Sequence, residues 1–153
     1  MIRSQKRLRL CTLLLVCNLI FIWGNSLMTA EISAAISNLV RQIVNFVLGA
    51  FSSAGEESLE GDGILRKIAH FTEFASLGLL LGWLFGMLRK KKVYPFLCGT
   101  LAACIDETIQ IFVPGRGPGI KDVCIDVGGV VTGMILLYVG HTFFKKKQSL
   151  EDN

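Results

Sequence analysis

The chain has 153 residues, with 16 Lys and Arg against 12 Asp and Glu, for a formal charge of +4. Hydrophobic residues make up 52% and charged residues 18%, and the mean hydropathy is +0.54. This composition excludes a disordered tail and a disulfide-stapled miniprotein, and it disfavours a water-soluble enzyme.

Residues 8–28 form the first apolar run, uncharged beyond Arg9. Its basic start (Arg3, Lys6, Arg7, Arg9) also fits a secretory leader. The run is longer than a leader's core, however, and Met28 is too large for the pattern around a cut at Ala30, so the segment is expected to persist as a span. Over residues 32–51, Ile32, Ile36, Leu39, Ile43 and Phe51 recur at helical spacing opposite Ser37, Arg41 and Asn45. That pattern predicts an amphipathic external helix on the bilayer surface or against the bundle, and Arg41 and Asn45 argue against a further span. Residues 55–63 (GEESLEGDG) read as a solvated acidic loop.

Three more apolar runs follow. Residues 68–88 contain His70 and Glu73, residues 93–113 contain Asp106 and Glu107, and residues 123–144 contain Asp126 and His141. At about 1.5 Å per residue each run reaches about 31–33 Å, enough for a hydrocarbon core of roughly 30 Å. The expected fold is therefore an all-α membrane protein, a four-helix transmembrane bundle within residues 8–144. Residues 1–7 and 145–153 are left as tails.

Basic residues cluster before the first span, between the second and third (Arg89 and the lysines at 90–92), and after the fourth (the lysines at 145–147). These clusters alternate along the chain, so all lie on one side, which the positive-inside rule makes cytoplasmic. Both termini are then inside. The lysine runs read as topology anchors and anionic-lipid contacts, not as a nucleic-acid surface. The five cysteines show no CxxC and read as apolar filler.

The ionisable residues gather near the outer ends of the last three spans. His70 and Glu73 lie about 4–9 Å inward from Lys67, Gln110, Glu107 and Asp106 about 6–12 Å inward from Pro114, and Asp126 about 6 Å beyond Asp122. Each such group costs roughly 2.5–3.5 kcal/mol at mid-bilayer, so the groups are expected to face one another. Asp122, Asp126, Gly129 and Gly133 share one stripe, and the two glycines form a small-xxx-small pair that allows close helix approach. An outward-opening polar pocket between spans two, three and four follows.

Within that pocket, His70 and Glu73 at i, i+3 could be an acid–base pair, metal ligands or a buried hydrogen-bonded pair. Asp106 and Glu107 are adjacent and project about 100° apart, so they are not expected to face the same spot; one could instead partner Arg116 or Lys67. Arg116, in Pro114-Gly115-Arg116-Gly117-Pro118-Gly119, carries a guanidinium fork suited to phosphate or carboxylate. No HExxH occurs, so neither a metal nor a cofactor is expected.

Three motifs, in order, resemble a known family. They are Lys67-x-x-His70-Phe71-x-Glu73-Phe74-x-x-Leu77-Gly78, Asp106-Glu107-x-x-Gln110-x-Phe112-Val113-Pro114-Gly115-Arg116, and Asp122-Val123-x-x-Asp126-x-x-Gly129-x-x-x-Gly133. Together they closely resemble the VanZ-like family of bacterial membrane proteins, over about residues 8–144. Many relatives carry Asn where this chain has Asp126, and His or an aromatic where it has Ile109. The resemblance implies a role in the cell envelope, and the founding member is linked to low-level resistance to the glycopeptide teicoplanin.

The expected site therefore comprises His70, Glu73, Asp106 and Glu107 as the groups able to move protons, with Lys67, Gln110, Arg116, Asp122 and Asp126 as ligand-binding residues. The expected partners are membrane lipids and a lipid-linked cell-wall precursor or stem peptide. A non-catalytic accessory subunit is the alternative, and a small proton-coupled transporter the third reading. Nothing in the sequence sets an oligomeric state.

Overall fold

A computed structural model describes residues 2–51, 62–117 and 119–151. They form five helices: α1 (Ile2–Ser26), α2 (Ala30–Phe51), α3 (Asp62–Met87), α4 (Val93–Ile111) and α5 (Ile120–Glu151). No strand occurs among the described residues. The expected acidic loop lies outside them as far as residue 61.

Three helices are long and apolar enough to cross a membrane, over Ser4–Ser26, Ile64–Met87 and Ile120–Gln148. The four-span expectation is thus met by length and composition in three of its four segments. The exception is α4, whose 19 residues include Asp106, Glu107 and Gln110, which lower its hydropathy. All three are buried by neighbouring helices. At the chain ends, α1 begins at Ile2, and α5 continues through the 145–147 lysines to Glu151.

The C-terminal ends of α1 and α4 meet the N-terminal ends of α3 and α5. Hydrogen bonds join Ser26 to Asp106 and Arg66 to Gln110, and Arg66, Gln110 and Asp126 border one cavity. α1 and α4 therefore run antiparallel to α3 and α5. Large apolar side chains such as Leu13, Ile20, Ile135 and Leu136 face outward, as expected of helices solvated by lipid. The apolar core holds Ile22, Phe74, Leu77, Leu81, Ala103 and Val130.

The largest interface joins α3 to α5, and backbone proximity makes it. A Cβ at Gly129 would collide with the Phe71 carbonyl, and one at Gly133 with that of Ala75. Reciprocally, a Cβ at Gly78 of α3 would collide with the Val130 carbonyl of α5. The small-residue stripe expected on α5 is thus where the two backbones touch. Their close approach sets His70 opposite Asp126.

α2 is helical as expected, but its apolar face does not pack on the bundle. Ile32, Ile36, Leu39, Ile43 and Phe46 are exposed, while Ser33, Ser37, Asn38 and Arg41 are half-buried. Arg41 donates to the Asn38 side chain at 2.6 Å. An apolar stripe pointing away from the protein fits contact with acyl chains, where water would penalise it.

Gly133→Ala is expected to destabilise the purified protein by about 1–3 kcal/mol, because the α3 backbone must move. A Cβ at Gly140, also on α5, meets nothing within 4 Å. Gly140→Ala should leave the thermal midpoint unchanged or slightly raised, as scanning fluorimetry in detergent would show.

Candidate functional site

The polar groups of four helices converge beneath the α4–α5 turn. On α3, Arg66, His70 and Glu73 fall at i, i+4 and i+7, so one stripe carries all three toward its neighbours. On α4, Asp106, Glu107 and Gln110 occupy the inward face, and on α5 Asp126 enters in the second turn. The last turn of α1 adds Asn25 and Ser26. Gly115, at φ +75°, closes the turn, and a Cβ there would lie 2.9 Å from the Ala30 side chain at the start of α2.

At the centre is the Gln110 side chain. Its amide nitrogen donates to Asp106 Oδ2 at 2.9 Å and to Glu107 Oε1 at 3.2 Å, while its carbonyl oxygen accepts from Arg66 Nη2 at 2.6 Å. The Ser26 hydroxyl donates to Asp106 Oδ1 at 2.7 Å. The Gly119 backbone N–H donates to Glu107 Oε2 at 2.9 Å, which ties the turn to α4. Asp106, Gln110 and Asp126 are at most 1% exposed, and Glu107 is 6% exposed. So the two adjacent carboxylates do share a partner, contrary to expectation. Gln110 stands at i+4 from one and i+3 from the other, and one amide spans the gap.

His70 and Glu73 are not paired with each other. His70 Nδ1 lies 3.8 Å from Asp106 Oδ2 and 3.9 Å from Asp126 Oδ1, whereas Glu73 Oε1 accepts from Asn25 Nδ2 at 2.8 Å. Residues three apart on a helix diverge by about 60°, enough to address different neighbours. Both Asp126 carboxylate oxygens are buried without a hydrogen-bond partner among the described residues, as is Glu73 Oε2.

Arg116 turns inward. Its Nη1 reaches the Ser26 carbonyl at 3.4 Å, and its Nε is buried without a partner among the described residues. Burial lowers its pKa from the ordinary arginine value, and the neighbouring Arg66 adds to that effect. Among the described residues it forms no ion pair with Asp122, Glu107 or Asp106. Beside the network is a cavity of about 100 Å³, bordered by Arg66, Lys67, His70, Glu107, Asp122 and Asp126. The expected site residues Lys67, His70, Glu107, Gln110, Asp122 and Asp126 therefore share this cavity, whereas Asp106, Glu73 and Arg116 are not on its border. His70, Asp106 and Asp126 offer one imidazole and two carboxylates, with ligand atoms all within 4.8 Å of one another.

Three participants escape a reading of the sequence. Arg66 stands four residues before His70 on the same stripe, a spacing that could have found it, but the motif runs through the adjacent Lys67. Asn25 and Ser26 carry no charge and end an apolar run, so only their neighbours reveal them.

Gln110→Leu removes the bridging amide and leaves two carboxylates and Arg66 short of partners. A loss of roughly 3–5 kcal/mol is expected, against about 1–3 kcal/mol for Ser26→Ala, which leaves Asp106 one remaining donor. Thermal unfolding in detergent measures both.

No curated protein and no solved structure matches the chain. A sequence model of the VanZ/LLP1 family does match, over residues 11–144, which runs from within α1 through α2, α3 and α4 into α5. The chain, with its three apolar helices and its buried motif residues, belongs to the VanZ/LLP1 family.

Proposed function

We propose that this protein crosses the membrane four times with both termini in the cytoplasm, and that its cavity opens to the outer leaflet. There it binds the phosphate or carboxylate group of a lipid-linked or cell-wall component. The supporting observation is a small cavity with two cations, Arg66 and Lys67, on its border, beside the start of α5. A fourth crossing is favoured by chain direction. α3 leaves the cavity and α5 starts again beside it, so α4 must return across the same thickness, and its 19 residues span about 28 Å. The basic residues at 89–92 and 145–147 then fall together on the far side.

Arg66 supplies a fork for an oxyanion and Lys67 a point charge, while Arg116 strengthens the local positive potential from beneath the turn. His70, Glu73 and Glu107 are the groups placed to accept or give protons, should binding lead to chemistry. If the ligand is a wall precursor, deletion of the protein would shift susceptibility to glycopeptides such as teicoplanin.

The network from Ser26 through Asp106, Gln110 and Glu107 to Gly119 favours a second reading, in which the buried charges only lock helix register. A transporter has less support, because the core below the cluster is Leu77, Leu81, Ala102, Ala103 and Val130.

Two experiments test the proposal. Gly117 is exposed, and a Cβ there meets nothing within 4 Å. In a chain with its five cysteines replaced by Ala, Gly117→Cys should react with a membrane-impermeant maleimide on intact cells, and Lys91→Cys only after permeabilisation. The reverse pattern rejects the orientation. For the ligand, native mass spectrometry of protein from its own membranes should show a co-purified anionic lipid or precursor. Arg66→Lys and Lys67→Gln should each weaken that association by roughly tenfold while the fold persists. Unchanged association in both variants favours the register-locking reading.

A further inference from the structure

The most unusual group in the molecule is Asp126. Its carboxylate is 1% exposed, and neither oxygen has a hydrogen-bond partner among the described residues. A carboxylate buried this way is strongly disfavoured unless a cation or a proton completes it. The group nearest in chemistry is His70, whose Nδ1 lies 3.9 Å from Asp126 Oδ1. That is too long for a hydrogen bond, and so is the 3.8 Å from the same nitrogen to Asp106 Oδ2. Three potential donors thus surround a common point without bonding to one another.

We propose that His70 Nδ1, Asp106 Oδ2 and Asp126 Oδ1 form a binding site for a divalent transition-metal ion, zinc foremost, with an open coordination position toward the cavity. Donor atoms on a tetrahedral zinc, at about 2.0–2.2 Å from the ion, lie about 3.3–3.6 Å apart. The two His70 separations need to close by only a few tenths of an ångström. One ligand atom from each of the three residues lies within 4.8 Å of the others, and a shared ion would draw the two carboxylates closer.

The surroundings suit such an ion. Asp106 is oriented by Ser26 at 2.7 Å and Gln110 at 2.9 Å, which is the outer-shell support that ligating carboxylates ordinarily have. Five carboxylates gather here (Glu73, Asp106, Glu107, Asp122 and Asp126) against three permanent cations (Arg66, Lys67 and Arg116). Carboxylates outnumber the basic side chains here, and a cation among them is favoured over a further anion. His70 and Asp126 border the cavity, so an ion held by them would be reached from it. Three protein donors with one open position is the arrangement of sites that bind or activate a fourth ligand, rather than of closed structural sites. The spacing escapes a motif search because the donors come from three helices. This inference does not depend on what the cavity binds.

The test uses the full-length, untagged chain in detergent. Its five cysteines are replaced by Ala, because four of them are exposed and would bind zinc on their own account. After chelation and dialysis, the protein is titrated with zinc chloride alone and analysed by calorimetry and elemental mass spectrometry. One zinc per chain and a raised thermal midpoint are expected. Asp126→Asn and His70→Gln should each weaken binding by about tenfold or more. His141→Ala, which removes the exposed histidine of α5, should not weaken it. Zinc bound equally by all three variants, or absent from well-folded parent protein, overturns the proposal. Should both site variants fail to fold, cobalt added to the parent chain decides. A visible spectrum of low-coordinate nitrogen and oxygen ligation supports the site, and an unchanged aqueous spectrum rejects it. No lipid or precursor enters these measurements, so their failure is distinct from failure of the proposed ligand.

Discussion

Polar side chains inside apolar helices must be solvated by one another, and in this protein that requirement falls on the Gln110 amide. It stands between Asp106 and Glu107 while its oxygen takes the Arg66 guanidinium. Exposed to hydrocarbon, each of these groups would oppose membrane insertion by several kcal/mol. Gathered at one point, they hold the ends of α1, α3 and α4 together and hang the α4–α5 turn from Glu107 through the Gly119 N–H. The antiparallel order of the helices follows from this junction.

The junction depends in turn on packing lower in the bundle. The backbone contact between α3 and α5 accompanies the placement of His70 within 4 Å of Asp126. The glycines at the α3–α5 crossing make that contact possible, much as small residues do between helices in membranes generally. Apolar packing fills the rest, with Phe74 and Leu77 fully buried. Near the far ends, Phe85 stacks on Tyr94 and Lys92 lies 4.6 Å over the Tyr138 ring, so aromatic contacts tie α3, α4 and α5 at a distance from the polar cluster.

Within the cluster, saturation separates two kinds of group. Glu107 and Gln110 have two or more hydrogen bonds each and behave as scaffold, and Ser26 and Gln110 orient Asp106. Asp126, one oxygen of Glu73 and the Nε of Arg116 are buried with unused bonding capacity. Scaffolding accounts for the first set, but it leaves the second at a cost that the fold alone does not offset. Unused donors and acceptors beside a cavity are what a site for an ion or an anionic ligand contains.

Residue order alone determined the helical class, the extent of the apolar runs, the level at which the polar residues lie, and the family-like motifs. Each of these is local, since periodicity and charge position are properties of a segment read by itself. Gly129 and Gly133 were legible as a contact stripe for the same reason. Which polar group meets which was decided only by tertiary structure. His70 turns from Glu73 toward Asp106 and Asp126, Arg116 folds back to the Ser26 carbonyl, and α2 faces its apolar stripe outward. Those outcomes depend on the rotation and separation of helices distant in the chain. Rotating one helix by a single residue turns its side chains about 100°, and no periodicity within one segment can specify that angle against another.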